Sequence, residues 1–275
     1  MNNTVLKTVE ILKLLSKADE GMTLTQIANA LSFPKSSVFD IVHTLLNREI
    51  IEVSSEREKS YRIGVESFVI GSSYLKHKTF DNVARPILSN VNSETDETVY
   101  MALRSGKNDF VYVMKFKSDS EYQTIFSVGD VRHLLSAALG KAILAALPDE
   151  SALECVTEEM YAKSSIPEIS DPTSLITYLN KARGDGYAVD ATTENSSFAC
   201  PVAAPVLNID EQVIGAISIV VMKNPTSEKR IRALGELVQD AAKEISKRLG
   251  YLRDDLYYLA KKPHDYIQSG ETPEV

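Results

Sequence analysis

The chain has 275 residues, of which 44% are hydrophobic and 25% are charged, so it is globular and long enough for two domains. Two cysteines, Cys155 and Cys200, exclude a disulfide-rich secreted scaffold. No signal-peptide pattern and no apolar run of the roughly 20 residues that span a bilayer occur in the sequence. We therefore expect a cytoplasmic protein with no membrane partner.

The net charge of -8 is unevenly distributed along the chain. Residues 1–65 carry 8 Lys and Arg and 8 Asp and Glu, so this segment is neutral and the excess acid lies in the remainder. A neutral segment gains little from phosphate neutralisation, so strong binding to nucleic acid would require several copies acting together. The acidic remainder would repel nucleic acid at long range.

The first predicted elements are a helix over 4–17 and two short amphipathic helices within 22–46. Thr23 and Gln26 have the spacing of a capping box, which starts the second of these three helices. Two helices separated by about three residues predict a helix-turn-helix, whose second helix enters the DNA major groove. The alternative is a pair of bundle helices with a solvated polar face. The predicted buried face of the last helix comprises Val38, Ile41, Val42 and Leu45, widened by Phe39 and Leu46.

A charged hairpin follows these helices. Residues 50–53 and 60–63 have the pattern of two strands, and the polar segment 54–59 forms the tip between them. A helix, a helix-turn-helix and a hairpin in this order predict a winged helix, with the hairpin as the wing. The residues expected to contact double-stranded DNA lie at the helix starts, on the polar face of the last helix or in the wing: Thr25, Lys35, Ser36, Ser37, Asp40, His43, Arg57, Lys59 and Arg62.

The remainder predicts a linker helix and an α+β domain. We place the domain boundaries at 1–64 for the winged helix, 65–79 for the linker, 80–252 for the second domain and 253–275 for a C-terminal extension that frays at its end. Hairpins, then helices, then another hairpin fit an antiparallel sheet flanked by helices. The predicted strands are 98–104, 110–116, 122–127, 187–190, 198–207 and 213–222, and the predicted helices are 80–95, 137–147, 149–160, 171–184 and 227–251.

The sequence contains no catalytic or phosphate-binding signature. Gly140 and Lys141 precede an alanine and lack the earlier glycine of a P-loop. The four histidines are scattered and never stand at i, i+4, so we expect no metal and no other cofactor. Two interpretations stay open at this point: an enzyme with an accessory DNA-binding head, and an architectural DNA-binding protein without a ligand pocket.

Several segments resemble the IclR-type transcriptional regulators of bacteria over nearly the whole chain. The matching segments are ILKLLSK, TLTQIANALSFPKSSVFDIVHTL and YRIG in the head, and VGDVRHLLSAALGKAILAALP, GYAVD and VAAPVLNIDEQVIGAISI in the second domain. The resemblance implies a winged-helix head, a linker helix and an effector-binding domain with a curved antiparallel sheet. It further implies homodimers, often paired into tetramers, that control catabolic operons in response to small carboxylic or aromatic metabolites. We expect such a regulator here, with repression as its mode.

The same resemblance implies an effector site built from three parts of the second domain. We expect a small carboxylic or sugar acid there, because an anion can bind the open N–H groups of a helix start. The sequence departs from the family pattern in two places. The Pro-Leu-His of the family is replaced by His133-Leu134-Leu135. Pro201 directly follows Cys200, so the position of Cys200 along its strand is open by one residue. The expected effector-binding residues are Arg132, Ser136, Ala138, Leu139, Asp190, Cys200 and Ser218.

Overall fold

A computed structural model describes most of the chain and divides it into two compact units, residues 1–79 and 80–275. No helix in the described part has both the length and the apolar character needed to cross a bilayer. The backbone alone is described for 72–76 and 80. Backbone and side chains are described for 3–18, 20–55, 57, 59–71, 81–119, 126–190, 199–221 and 227–261.

The described part of the first unit is a winged helix followed by a further helix. The capping box starts the helix Leu24–Leu31 as predicted: Gln26 N donates to Thr23 Oγ1 (3.3 Å), and Thr23 N donates to Gln26 Oε1 (2.8 Å). A third strand, Met22–Thr23, is too short to show a sequence pattern and pairs with the second wing strand, Ser60–Ile63. The elements are α1 Asn3–Leu15, β1 Met22–Thr23, α2 Leu24–Leu31, α3 Lys35–Asn47, β2 Ile51–Ser55, β3 Ser60–Ile63 and α4 Val65–Lys76.

One hydrophobic cluster holds the three helices and the wing of this unit together. Ile11 of α1, Ile27 of α2 and Val38 of α3 are fully buried within it. Ile51 of β2 joins them and lies opposite Ile63 in the antiparallel wing. Burying such side chains contributes about 1.5–3 kcal/mol each relative to leaving them exposed. The periodic apolar residues therefore fix the angle at which α3 presents its other face.

The described part of the second unit contains a six-stranded sheet with helices on both faces. Two features differ from the sequence prediction: the helix expected over 149–160 is broken into two, Asp149–Glu154 and Glu158–Tyr161, and the strand Val131–His133 was not predicted. The strand expected over 122–127 lies largely outside the described residues. The elements are α5 Phe80–Thr95, β4 Thr98–Ser105, β5 Asp109–Phe116, β6 Val131–His133, α6 Ala138–Ala145, α7 Asp149–Glu154, α8 Glu158–Tyr161, α9 Pro172–Asp185, β7 Ala188–Val189, β8 Cys200–Leu207, β9 Val213–Val221 and α10 Glu228–Arg248.

The sheet is antiparallel throughout, with strand order β6-β5-β4-β9-β8-β7. Ser218 of β9 lies opposite both Tyr100 of β4 and Ala203 of β8, so these three side chains share one face. Helix α6 packs on β8 and β9 from this face, which we call the inner face. Helices α5 and α10 pack against each other and cover the other face.

The C-terminal segment packs against the second domain beyond the predicted boundary at 252. Leu256 and Tyr257 are buried, and the Tyr257 hydroxyl donates to the carbonyl of Gly186 (3.1 Å). Gly186 ends α9 in the left-handed region (φ 86°), which a residue with a side chain rarely adopts. The second domain therefore continues past 252, at least to Tyr257, and the predicted fraying of 262–275 lies outside the described residues.

Candidate functional site

The outer face of α3 is the first candidate site. Helix α3 is buried on one side through Val38, Ile41, Val42 and Leu45, as the sequence predicted. Pro34 precedes its first residue and provides no side-chain cap, so the N–H groups of the first turn remain available to an anion such as a phosphate. The exposed positions are Lys35, Ser36, Phe39, Asp40, His43, Thr44 and Asn47.

One assignment on this helix was wrong. Phe39 was expected to widen the buried face, but it is 48% exposed and lies among the polar residues. Its ring instead contacts that of His43, with ring centroids 4.4 Å apart. Residues one position away from a hydrophobic stripe can fall on either side of its edge, so periodicity alone does not place them.

A lysine of α1 that the sequence did not indicate also contacts the start of α3. Lys7 of α1 donates from Nζ to Ser37 Oγ (3.3 Å) and lies 5.4 Å from the centre of the Phe33 ring. Ser37 is half-buried, whereas Lys35 and Ser36 are exposed. Lys7 therefore adds a positive charge beside the helix N-terminus, where it favours an anion. Thr25 is exposed in the first turn of α2.

The wing presents its predicted cations unequally. Arg57 and Lys59 are exposed at the tip, and Lys59 has a left-handed backbone (φ 52°) that helps to reverse the chain. Arg62 faces Glu52 across the two strands, with Arg62 Nη2 2.7 Å from Glu52 Oε1. Exposed ion pairs contribute only about 0–1 kcal/mol, so a phosphate can compete for Arg62. Arg57 and Lys59 are the more available of the three cations.

The second candidate site is the start of α6 in the second domain. Ala137 precedes this helix without a side-chain cap. A methyl group on Gly140 would lie 2.1 Å from the carbonyl oxygen of Leu134, so the close approach of the two segments requires glycine. Ala138 and Leu139 are buried and offer their backbone N–H groups rather than their side chains. Ser136 Oγ donates locally to the carbonyl of His133 (2.6 Å).

A buried charge cluster joins α6 to the end of β7. Lys141 Nζ lies 2.8 Å from Asp190 Oδ1 and donates to Ser165 Oγ (2.5 Å). Ser165 Oγ in turn donates to Asp190 Oδ2 (2.6 Å). The contact between the Lys141 ammonium and the Asp190 carboxylate is a buried ion pair. Asp190 was expected at a ligand, and the structure shows that its carboxylate already has two partners.

Burial and charge act in opposite directions on Lys141. Removal from water lowers the pKa of its ammonium, and the nearby Asp190 carboxylate partly opposes that effect. The ion pair of Lys141 with Asp190 was not predicted from the sequence, where Lys141 was considered only as part of a P-loop. The available signal was a single charged residue within an otherwise apolar helix, which is seldom buried without a partner.

The sheet register separates the expected effector residues. Asp190 follows β7 and its N–H donates to the carbonyl of Pro201, so Asp190 lies on the inner face with Ala203 and Ser218. Cys200 lies opposite Val221 and belongs to the other face. A shift of one residue along a strand changes the face, so the inner-face position expected for the cysteine is held by Pro201. The structure therefore does not bring Cys200 together with Ser218.

Aromatic residues form the other half of the inner face. The Tyr112 ring lies 5.0 Å from that of Tyr100, 5.3 Å from that of Phe110 and 5.3 Å from that of Phe126, measured between centroids. Arg132 of β6 faces Phe110, and its guanidinium carbon lies 5.0 Å from the centre of the Phe126 ring. The alternation of Phe110 and Tyr112 along one strand could have indicated this aromatic wall.

Tyr112 carries a polar group within this wall. It is 2% exposed, and burial raises the pKa of its phenol well above the ordinary value. Within the described residues no group of three or more His, Cys, Asp or Glu side chains is placed to hold a metal. The winged helix places the chain among the DNA-binding proteins. The second domain adds an uncapped helix start, a buried ion pair and an aromatic wall on one face of its sheet.

Comparisons with known proteins identify the family. The chain matches the family models described as "IclR helix-turn-helix domain" over residues 4–55 and "Bacterial transcriptional regulator IclR C-terminal" over 72–247. The chain belongs to the IclR family of transcriptional regulators and is not an enzyme.

Three similar proteins illustrate this membership. The regulator KipR of Bacillus subtilis is 27% identical over 91% of this chain and 98% of its own. The repressor AllR of Salmonella typhi is 27% identical over 88% of both chains. A crystal structure of an IclR homologue from Microbacterium hydrocarbonoxydans, complexed with 4-hydroxybenzoate, has a TM-score of 0.72 at 20% identity and covers 90% of this chain and 99% of its own. At that identity the structural likeness shows the fold alone.

Proposed function

We propose that this protein is a repressor of a catabolic operon, that it binds operator DNA through α3 and the wing, and that a small organic acid controls it. The observation that carries the proposal is the outer face of α3, a polar stripe on a capped helix-turn-helix with an open N-terminus. The similarity to AllR, which is described as a repressor, supports repression. Such a protein acts on the chromosome, in the cytoplasm.

The contacts expected at DNA differ in what they contribute. Lys35, Arg57 and Lys59 are exposed cations whose place is at phosphates, which set position and affinity. Ser36, Asp40 and the other exposed polar side chains of α3 can reach base edges, which set specificity. We therefore assign operator choice to α3 and most of the salt-dependent affinity to the cations.

For the effector we propose a small carboxylate with a ring or hydroxyl group, bound between the start of α6 and the aromatic wall. The open N–H groups at Ala138 and Leu139, together with Arg132, suit the carboxylate. Tyr112 and Ser218 suit a hydroxyl group, and the aromatic rings suit an apolar body. The 4-hydroxybenzoate held by the Microbacterium homologue is a ligand of this chemical class.

The cluster around Asp190 fits an anionic effector better than an isolated aspartate would. An unpaired carboxylate near the site would repel a second one. Lys141 balances the charge of Asp190, and Ser165 holds the carboxylate in place. We therefore propose that Asp190 shapes the site and accepts from a ligand hydroxyl, and that it does not bind the effector carboxylate.

We also propose that the protein acts as a homodimer, with a dimer of dimers as the larger assembly. The first domain is neutral overall, so a single copy gains little affinity from phosphate contacts. Val65 and Phe68 are exposed on α4, where a second copy would cover them. Two copies bound to two half-sites add their contacts without any new interaction.

The test is a thermal-shift screen of organic, hydroxy and sugar acids with the full chain, followed by calorimetry. Operator DNA is first obtained by selecting tight-binding duplexes from a random pool. The acid found is then titrated into the protein with and without operator. Coupling between sites is typically about 1–3 kcal/mol, which predicts an effector affinity about 5–150-fold lower with operator bound if the acid relieves repression. Equal affinity in both titrations would contradict control by this acid.

A further inference from the structure

The outer face of α3 contains one large apolar side chain. Phe39 is 48% exposed and is not part of the hydrophobic cluster that holds the first domain together. Its neighbours along the exposed stripe are Ser36, Asp40 and His43, all of them polar. An exposed apolar group at the centre of a binding surface commonly contacts the partner. The question is which part of a DNA duplex would accept a phenyl ring.

The ring of Phe39 is held by its neighbour one turn further along. His43 stands at i+4, and the two rings are tilted by 45° with centroids 4.4 Å apart. The Phe39 ring, held in contact with His43, loses less side-chain freedom on binding than a single mobile ring would. Phe39 is also in the second turn of α3, close to the helix start from which recognition helices contact base edges.

We propose that Phe39 reads a thymine in the operator by packing against its 5-methyl group in the major groove. The major-groove edges of the other bases are hydrogen-bond donors and acceptors, and a phenyl ring beside them would bury polar groups without partners. The thymine methyl is the one apolar group on those edges, and phenylalanine is among the side chains that contact it. The inference rests on the proposed function, because it requires operator binding through α3.

The experiment replaces thymine by deoxyuridine, which removes one methyl group and leaves the base-pairing pattern unchanged. Each thymine of the selected operator is substituted in turn, in both half-sites of the palindrome, and the affinity of the full chain is measured at one salt concentration. Loss of one buried methyl contact corresponds to about fourfold weaker binding, and two symmetric losses to about 15-fold. We expect this loss at one thymine of each half-site.

The variant Phe39→Ala closes a double-mutant cycle. It should bind the thymine and deoxyuridine operators with equal affinity at the sensitive position, because the methyl then has no partner. Phe39→Leu should keep part of the preference. Thr177→Ala is the control outside the proposed DNA surface: Thr177 is exposed on α9 of the second domain, its hydroxyl donates to the carbonyl of Thr173, and the variant should keep the full preference.

Each outcome decides between the inference and its alternatives. If Phe39→Ala keeps the preference at every thymine, or if the parent has none, Phe39 does not read a thymine methyl although DNA binding itself stands. If Phe39→Ala lowers the molecular mass on gel filtration, Phe39 is a subunit contact and the inference fails. If the parent enriches no sequence from the random pool, the proposed function fails first. Unchanged far-ultraviolet circular dichroism of the variant confirms its fold.

Discussion

Replacing Lys141 by methionine should destabilise the second domain strongly. The side chains of Lys141 and Asp190 are 0% and 7% exposed, so the variant leaves a buried carboxylate with Ser165 as its remaining hydrogen-bond donor. Removing one partner of such a pair costs about 3–5 kcal/mol. For a domain of this size each kcal/mol shifts the Tm by about 2–4 °C, so we expect a decrease of roughly 6–20 °C.

A second variant tests whether the unmatched charge causes this loss. Lys141→Met combined with Asp190→Asn removes both charges and leaves an amide that Ser165 can still reach. The remaining cost is that of an incompletely bonded polar group, about 1–3 kcal/mol, so the double variant should be more stable than the single one. Lys181→Met, at an exposed position of α9, is the matched control and should change stability by less than about 0.5 kcal/mol.

The assay is scanning calorimetry of the full chain. The Tm of each variant is compared with that of the parent, and the transition that Lys141→Met shifts is that of the second domain. The same variants report on the effector site through the affinity for the acid found in the screen. An unbalanced Asp190 should weaken binding of an anion more in the single variant than in the double one. A single variant within about 1 kcal/mol of the parent, or a double variant less stable than the single one, would refute the reasoning.

Three further predictions follow from individual side chains. Lys35→Ala should weaken binding to all DNA sequences alike and lower the salt slope by about one unit, as measured by fluorescence anisotropy at several salt concentrations; an unchanged slope would remove Lys35 from the phosphate contacts. Cys155 and Cys200 should react slowly with a thiol reagent at pH 8 in the native protein and quickly in urea. Burial raises the pKa of both thiols, and that of Cys200 to about 11, so little reactive thiolate is present in the folded state. Rapid reaction of the native protein would contradict this. Gly140→Ala should lower the free energy of unfolding by about 1–3 kcal/mol, because its methyl group would meet the Leu134 carbonyl oxygen. Gly184→Ala, in an open part of α9, should instead raise it by about 0.5–1 kcal/mol. Urea titrations compare the two variants, and equal effects would show that the approach of Leu134 to Gly140 is not rigid.

The sequence alone determined the local elements of this protein. The capping box at Thr23 and Gln26, the wing and the long helix α10 all depend on residues close together in the chain, so spacing and propensity suffice to locate them. The family was predicted in another way, from the resemblance of several segments in their order along the chain, and the family models match it. Spacing and propensity could not locate β1 or β6, since two or three residues carry no period and pair only when a partner strand is present.

The tertiary structure decided what the sites contain. The face of a strand residue depends on its pairing register, so only the sheet shows that Pro201 and not Cys200 shares a face with Ser218. Lys141 and Asp190 are distant in sequence, and their ion pair exists only because α6 packs across β7. Phe39 lies at the edge of a helical stripe, where the depth of packing decides exposure. Spacing along a chain sets which residues can be neighbours locally, whereas burial is set by what packs against them.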